Sequence, residues 1–197
     1  DDAQEWFLRG FSTENNTGLG ELLSEFDELP ERARFLTRCE QAFYELKVGP
    51  PDCDWASLIL NNVSRIPRFL ISEATEERIE LPDLREVGKD VFMERLDGVA
   101  ALLAEDSGLQ TLCVEMEEAL EKTMDQLALD YKIAVPTWHA KDKCLALTLP
   151  LRVRTKDPNI VLAVRWDEKA NTYQPINLLT PEMAYNNARL VSRPEAA

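Results

Sequence analysis

The apolar residues of this chain change period once, and that change limits the folds open to it. Across 109–131, Leu109, Leu112, Cys113, Met116, Leu120, Met124, Leu127 and Tyr131 recur at steps of three and four, the spacing of a helix with one buried stripe. The opposite side is nearly all acid (Glu115, Glu117, Glu118, Glu121, Asp125), as a solvated face should be. After Pro136 the period falls to two: Cys144-Leu145-Ala146-Leu147-Thr148-Leu149 puts leucines on one side and small residues on the other. A chain that is helical first and stranded afterwards is expected to be α+β, with helices packed on one face of an antiparallel β-meander.

The flanking segments fill in this plan. Residues 5–10 are aromatic-rich and predict a short strand. Residues 41–48 fit a strand or a short helix equally, and Gly49-Pro50-Pro51 breaks the chain. Asp54 predicts an N-cap for a helix over 55–65 that Pro67 ends. Residues 69–84, with Pro82, are expected to be a loop or insertion. Helical spacing returns at Val91, Phe92, Leu96, Val99, Leu102 and Leu103. Pro150 predicts an edge or a bulge, since it cannot donate to a ladder. The continuous apolar run 160–164 predicts a strand covered on both faces. A further strand over 173–179 should carry Ile176 and Leu178 on one face. Thr180-Pro181-Glu182 predicts an N-cap, a proline at the first helical position and an early acid, opening a closing C-terminal helix.

With 197 residues and 45% hydrophobic content, the chain can bury one sizeable core. Its 22 basic and 36 acidic residues give a net charge of −14, which argues against a uniformly basic nucleic-acid or membrane-surface binder. That figure conceals a polarity: −8 over 1–31, +2 over 32–71, −12 over 72–130 and +4 over 131–197. An anionic ligand is therefore expected against the last third or the 32–71 segment. No apolar run approaches the roughly 18 residues of a membrane span. Four scattered cysteines without a CxxC pair suit a reducing compartment, so a cytoplasmic protein is expected.

Chemistry-bearing motifs are sparse. His139 is the only histidine and has no adjacent thiol, so no metal and no cofactor are expected, and His139 is taken as an ordinary strand-edge residue. Gly18-Leu19-Gly20 lacks the third glycine and the setting of a dinucleotide loop. Two segments stand out. Arg32 and Arg34 lie two apart, on one side of an extended chain. Asn186 and Asn187, poor helix formers, sit between Tyr185 and Arg189 inside a predicted helix. Such residues suit hydrogen bonding to a ligand, or capping and internal pairing with the acidic middle.

The string Glu5-Trp6-Phe7-Leu8-Arg9-Gly10-Phe11, the stretch 29–35, Leu60-Asn61-Asn62 and Arg65-Ile66-Pro67 appear in order. Tyr131-Lys132-Ile133-Ala134-Val135-Pro136 and Leu147-Thr148-Leu149-Pro150-Leu151 follow. Last come Ala184-Tyr185-Asn186-Asn187-Ala188-Arg189-Leu190 and Arg193-Pro194. Together they resemble the family called domain of unknown function 3825, found chiefly in bacteria. Residues 69–106 are longer and more acidic than that pattern, which suggests an insertion or variable helical segment. Arg152 stands where the pattern is apolar. The pattern extends beyond Asp1 and Ala197, so a single domain truncated at both ends is expected. The resemblance implies no activity. Relatives beside cold-shock-like modules imply RNA-linked work, by association only.

The expected function is therefore binding of a phosphate-bearing ligand, a nucleotide or RNA, in a local basic-polar pocket built by Arg32, Arg34, Lys132, Tyr185, Asn186, Asn187 and Arg189. The segments 29–35, 131–139 and 180–194 are each net +1, and arginine forks grip phosphate. The alternatives are a protein-interaction module whose arginines pair internally, and a nucleotide-processing enzyme using Tyr185 or His139 as proton carrier.

Overall fold

The computed structural model describes residues 35–76, 89–105, 107–139, 142–189 and 191. The expected strand at 5–10 and the arginine pair Arg32 and Arg34 lie outside them. Among the described residues, five α-helices, α1 (Trp55–Asn61), α2 (Arg68–Ala74), α3 (Lys89–Glu105), α4 (Ser107–Leu129) and α5 (Pro181–Ala188), accompany four strands: β1 (Val135–His139), β2 (Cys144–Leu151), β3 (Ile160–Asp167) and β4 (Thr172–Leu179). The strands form one antiparallel sheet in the order β1-β2-β3-β4. The class is α+β.

Alternation along the strands builds the two faces. Leu149, Leu162 and Leu178 lie in register across β2, β3 and β4, and with Leu147, Leu151, Ile160 and Val164 they pack against Leu112, Met116 and Leu120 of α4 and Ile59 and Leu70 of α1 and α2. Val161, Ala163 and Leu179 point the other way and meet Ala184 of α5. Helices α1–α4 thus cover one face and the closing helix covers part of the other, which is why 160–164 reads as a continuous apolar run.

Several elements depart from the sequence expectations, each for a physical reason. Of the two alternatives for residues 41–48, the strand is not formed and the helix is short and 3₁₀, in two pieces, Cys39–Ala42 and Leu46–Val48. The segment after Pro67 is helix α2, not loop, because Leu70 and Ile71 are 1% exposed and supply a core stripe of their own. Helix α4 ends at Leu129, so Tyr131 falls outside the buried stripe and is exposed, with its ring on Phe43. Ile176 and Leu178 do not share a face. A bulge lies between the pairs Val164↔Pro175 and Ala163↔Asn177, and the extra residue turns Ile176 towards the α5 side while Leu178 stays in the main core. Pro150 is tolerated within β2 because the β1 pairing stops at Val135↔Thr148, so beyond Thr148 that side of the strand is a local edge.

Candidate functional site

Two grooves flank Arg154. The more basic one lies between α4 and the β2–β3 connection, encloses about 470 Å³ and is lined by Lys122, Gln126, Arg152, Arg154, Thr155 and Lys156. The loop is shaped from its own residues. Asn159 acts as a strand substitute: its Oδ1 accepts from the Val153 amide at 3.0 Å, its Nδ2 donates to the Val153 carbonyl at 3.0 Å, and its amide donates to the Leu151 carbonyl at 3.1 Å. Val153 is thereby held in the core at 2% exposure, and its neighbours Arg152 and Arg154 flank it. Arg154 sits in left-handed backbone at φ +59°, a conformation uncommon outside glycine and worth attention where it recurs at a charged loop.

The cations of the groove differ in what they already hold. Arg154 donates Nε to Glu115 Oε1 at 2.8 Å and also binds Glu73, so its charge is largely spent inside the fold. Burial, and secondarily Glu118, pushes the Glu115 carboxyl above the ordinary carboxylate value. Arg152 instead donates Nη1 to the neutral amide oxygen of Gln126 at 2.7 Å and keeps its net charge. Among the described residues, Lys122 makes an exposed pair with Glu118 at 3.7 Å and no other ion pair. Lys156 is exposed and has no carboxylate partner among the described residues.

At the other end of the sheet, the β1–β2 hairpin closes on the pair His139↔Cys144. One donor atom each from His139, Asp142 and Cys144 lies within 4.8 Å of the others. This is the group among the described residues able to hold a metal ion. The thiol missing beside His139 in the chain is supplied across the ladder, so sequence proximity understated what the hairpin assembles.

Members of the polar helix cluster lie on α5. Thr180 caps it, its hydroxyl accepting from the Met183 amide at 3.2 Å, and Pro181 opens it. Ala184 and Ala188 are the buried positions, small enough to let the helix lie close to the sheet.

A family model described as domain of unknown function (DUF3825) matches residues 1–197. The chain belongs to the DUF3825 family. Neither a curated protein nor a solved structure matches it. Of the residues singled out in this DUF3825 sequence, the fold brings Tyr185 and Arg189 together, the guanidinium 5.8 Å from the ring centroid. Tyr185, Asn186 and Arg189 are exposed and Asn187 is half-buried. Lys132 is exposed on the 3₁₀ turn Tyr131–Ile133 between α4 and β1, where its amide donates to the Asp130 carboxylate at 3.0 Å. None of these residues lines either groove. The sequence does carry a signal for the groove cations: Arg152, which stands where the family pattern is apolar, Arg154 and Lys156 fall at every second position, a spacing that signals one face of an extended segment.

Proposed function

We propose that this DUF3825 domain binds a phosphate-bearing ligand, a nucleotide or RNA, in the groove between α4 and the β2–β3 connection. The observation that carries the proposal is the gathering of Lys122, Arg152, Arg154 and Lys156 around one groove in a chain of net charge −14. Arg152 and Lys156 retain unneutralised charge, Thr155 and Gln126 offer hydrogen bonds, and an arginine fork suits phosphate oxygens. The acidic remainder of the surface adds selectivity by repelling anions elsewhere, within a screening length of about 8–10 Å.

The decisive experiment is titration of the full chain with inorganic pyrophosphate, a nucleoside triphosphate and a short 5′-phosphorylated RNA. Arg152→Ala and Lys156→Ala are each expected to weaken binding about tenfold or more, the worth of a charge-assisted contact, and Tyr185→Ala to leave it unchanged. No binding by the folded parent, or binding untouched by both substitutions, would refute the proposal. A second reading, a structural module whose arginines pair internally, draws on the contacts of Arg154 to Glu73 and Glu115. It expects Arg154→Ala to lower stability by about 1 kcal/mol, the upper range for exposed pairs, with no effect on any ligand.

A further inference from the structure

We infer that the β1–β2 hairpin corner is a zinc-class metal site formed by His139, Asp142 and Cys144. His139 and Cys144 are directly opposite in the last rung of the ladder, so their side chains emerge on the same face, and Asp142 belongs to the connecting turn. Their donor atoms fall within 4.8 Å of one another. Ligands around a tetrahedral zinc stand about 3.3–3.8 Å apart, as follows from bonds of roughly 2.0–2.3 Å. Small rotations about side-chain bonds close the remaining gap.

Two further observations separate this corner from a chance cluster. His139 Nδ1 is buried and lies 3.2 Å from Asp142 Oδ2, yet the two are out of line for a hydrogen bond. Both atoms can act as metal ligands, and neither is tied to the other by a hydrogen bond. Two rungs along on the same face, Thr137 is 2% exposed and its hydroxyl has no hydrogen-bond partner among the described residues. Buried polar groups are nearly always hydrogen-bonded, so a buried imidazole nitrogen and a buried hydroxyl without such bonds on one face of the hairpin call for a cause. A metal ion held by the three residues would satisfy the imidazole nitrogen.

The donor set selects the ion class. Imidazole nitrogen and thiolate sulfur favour a borderline cation over magnesium or calcium, which take oxygen ligands. Three protein ligands leave a fourth position for water or substrate. Binding replaces the Cys144 thiol proton by the metal: Zn²⁺ joins neutral His139, the Asp142 carboxylate and the Cys144 thiolate, and one H⁺ leaves to solvent. The inference stands apart from the phosphate groove, since the two share no residue.

The test uses the full chain, titrated with Zn²⁺ by calorimetry in two buffers of different ionisation enthalpy and with Co²⁺ by absorption. One metal per chain, proton release, and a thiolate-to-cobalt charge-transfer band with tetrahedral d–d intensity are expected. Cys144→Ser should abolish the charge-transfer band. His139→Gln and Cys144→Ser should each weaken binding at least about 100-fold, because losing even an outer partner costs roughly 10–100-fold. Cys39→Ser, which alters an exposed thiol elsewhere, should change nothing. The inference is overturned by a parent that binds no Zn²⁺ at micromolar concentration, or by binding that survives the His139→Gln, Cys144→Ser pair. If those variants do not fold, the parent's cobalt spectrum decides: octahedral bands without a sulfur transition reject the site.

Discussion

Two helical glycines offer a sharp test of the helical layer, because the same substitution should act with opposite signs. A Cβ added at Gly108, in the first turn of α4, would lie 1.9 Å from the Ala74 carbonyl oxygen, 2.7 Å from its carbon and 2.9 Å from its Cα. Comfortable carbon contacts begin near 3.5 Å, so α4 and the end of α2 would have to part by more than about 1 Å. The obstacle is backbone and cannot rotate away. Overpacking costs about 1–3 kcal/mol, and the upper half applies here. Against it stands a gain in helix propensity of at most about 1 kcal/mol. Gly108→Ala should therefore lose about 2 kcal/mol, a fall in Tm of roughly 4–8 °C for a chain of this length. Gly98 in α3 has nothing within 4 Å of its added Cβ, so Gly98→Ala should gain about 0.5–1 kcal/mol, or roughly 1–4 °C. Thermal melts of both variants followed by circular dichroism decide the matter. Equal signs for the two substitutions would refute the close approach of α2 and α4. The approach also bears on function, since Glu73, next to Ala74, is one of the carboxylates that hold Arg154.

Arg65→Ala should cost about 1.5–3 kcal/mol in chemical denaturation, because Nη1 donates both to Asn177 and to the Leu178 carbonyl at 2.7 Å and its loss leaves β4 acceptors unpaired. Thr123→Val should cost about 1–2 kcal/mol for a similar reason: its hydroxyl, 1% exposed, reaches the Pro150 carbonyl at 2.7 Å, and a near-isosteric methyl cannot donate. Burial pushes the Cys53 thiol up to about 12, so at pH 8 it should resist a disulfide reagent that labels exposed Cys39 at once; equal rates would contradict its burial. The Asp167 carboxyl accepts backbone amides of Ala170 and Lys169 at the β3–β4 turn, which holds it below the ordinary value of 3.8. Its contribution to stability should be present above that value and lost as pH falls through the lower folded one, and Asp167→Asn should flatten this acid limb in pH-dependent melts.

What could be read from the sequence was set by how local each cause is. The long stripe of α4, the Asp54 and Thr180 caps, and the alternation of β2 are properties of contiguous residues, and each appears where its pattern lies. The bulge at Ile176 is not such a property. It adjusts β4 to β3, and nothing in Thr172–Leu179 alone announces which residue will be left unpaired. Helix α2 was obscured by its seven-residue length and by the charged residues that follow it. The β1–β2 corner was missed for a different reason. His139 and Cys144 are five positions apart, which suggests nothing by itself, and they become neighbours only when the chain turns back between them.

The same distinction governs charge. The acidic face of α4 looks uniform when its carboxylates are counted, but a helix distributes residues around its axis, and the stripe facing the β2–β3 connection has its own composition. Along it, Glu115 meets Arg154, Ala119 and Thr123 pack inward, and Lys122 and Gln126 border the groove. Glu115 is thus already committed to Arg154. Further along the helix, Lys122 and Gln126 bring an ammonium group and a neutral amide to the groove that Arg152 and Lys156 also line. A strongly acidic chain can in this way keep a cationic groove. Adding a carboxylate at the position of Gln126 should close it: Gln126→Glu would neutralise Arg152 at its present hydrogen-bond distance of 2.7 Å. Pyrophosphate binding should then weaken about tenfold with little change in Tm, as exposed pairs contribute at most about 1 kcal/mol to stability. Undiminished binding by that variant would place the anion elsewhere on the domain.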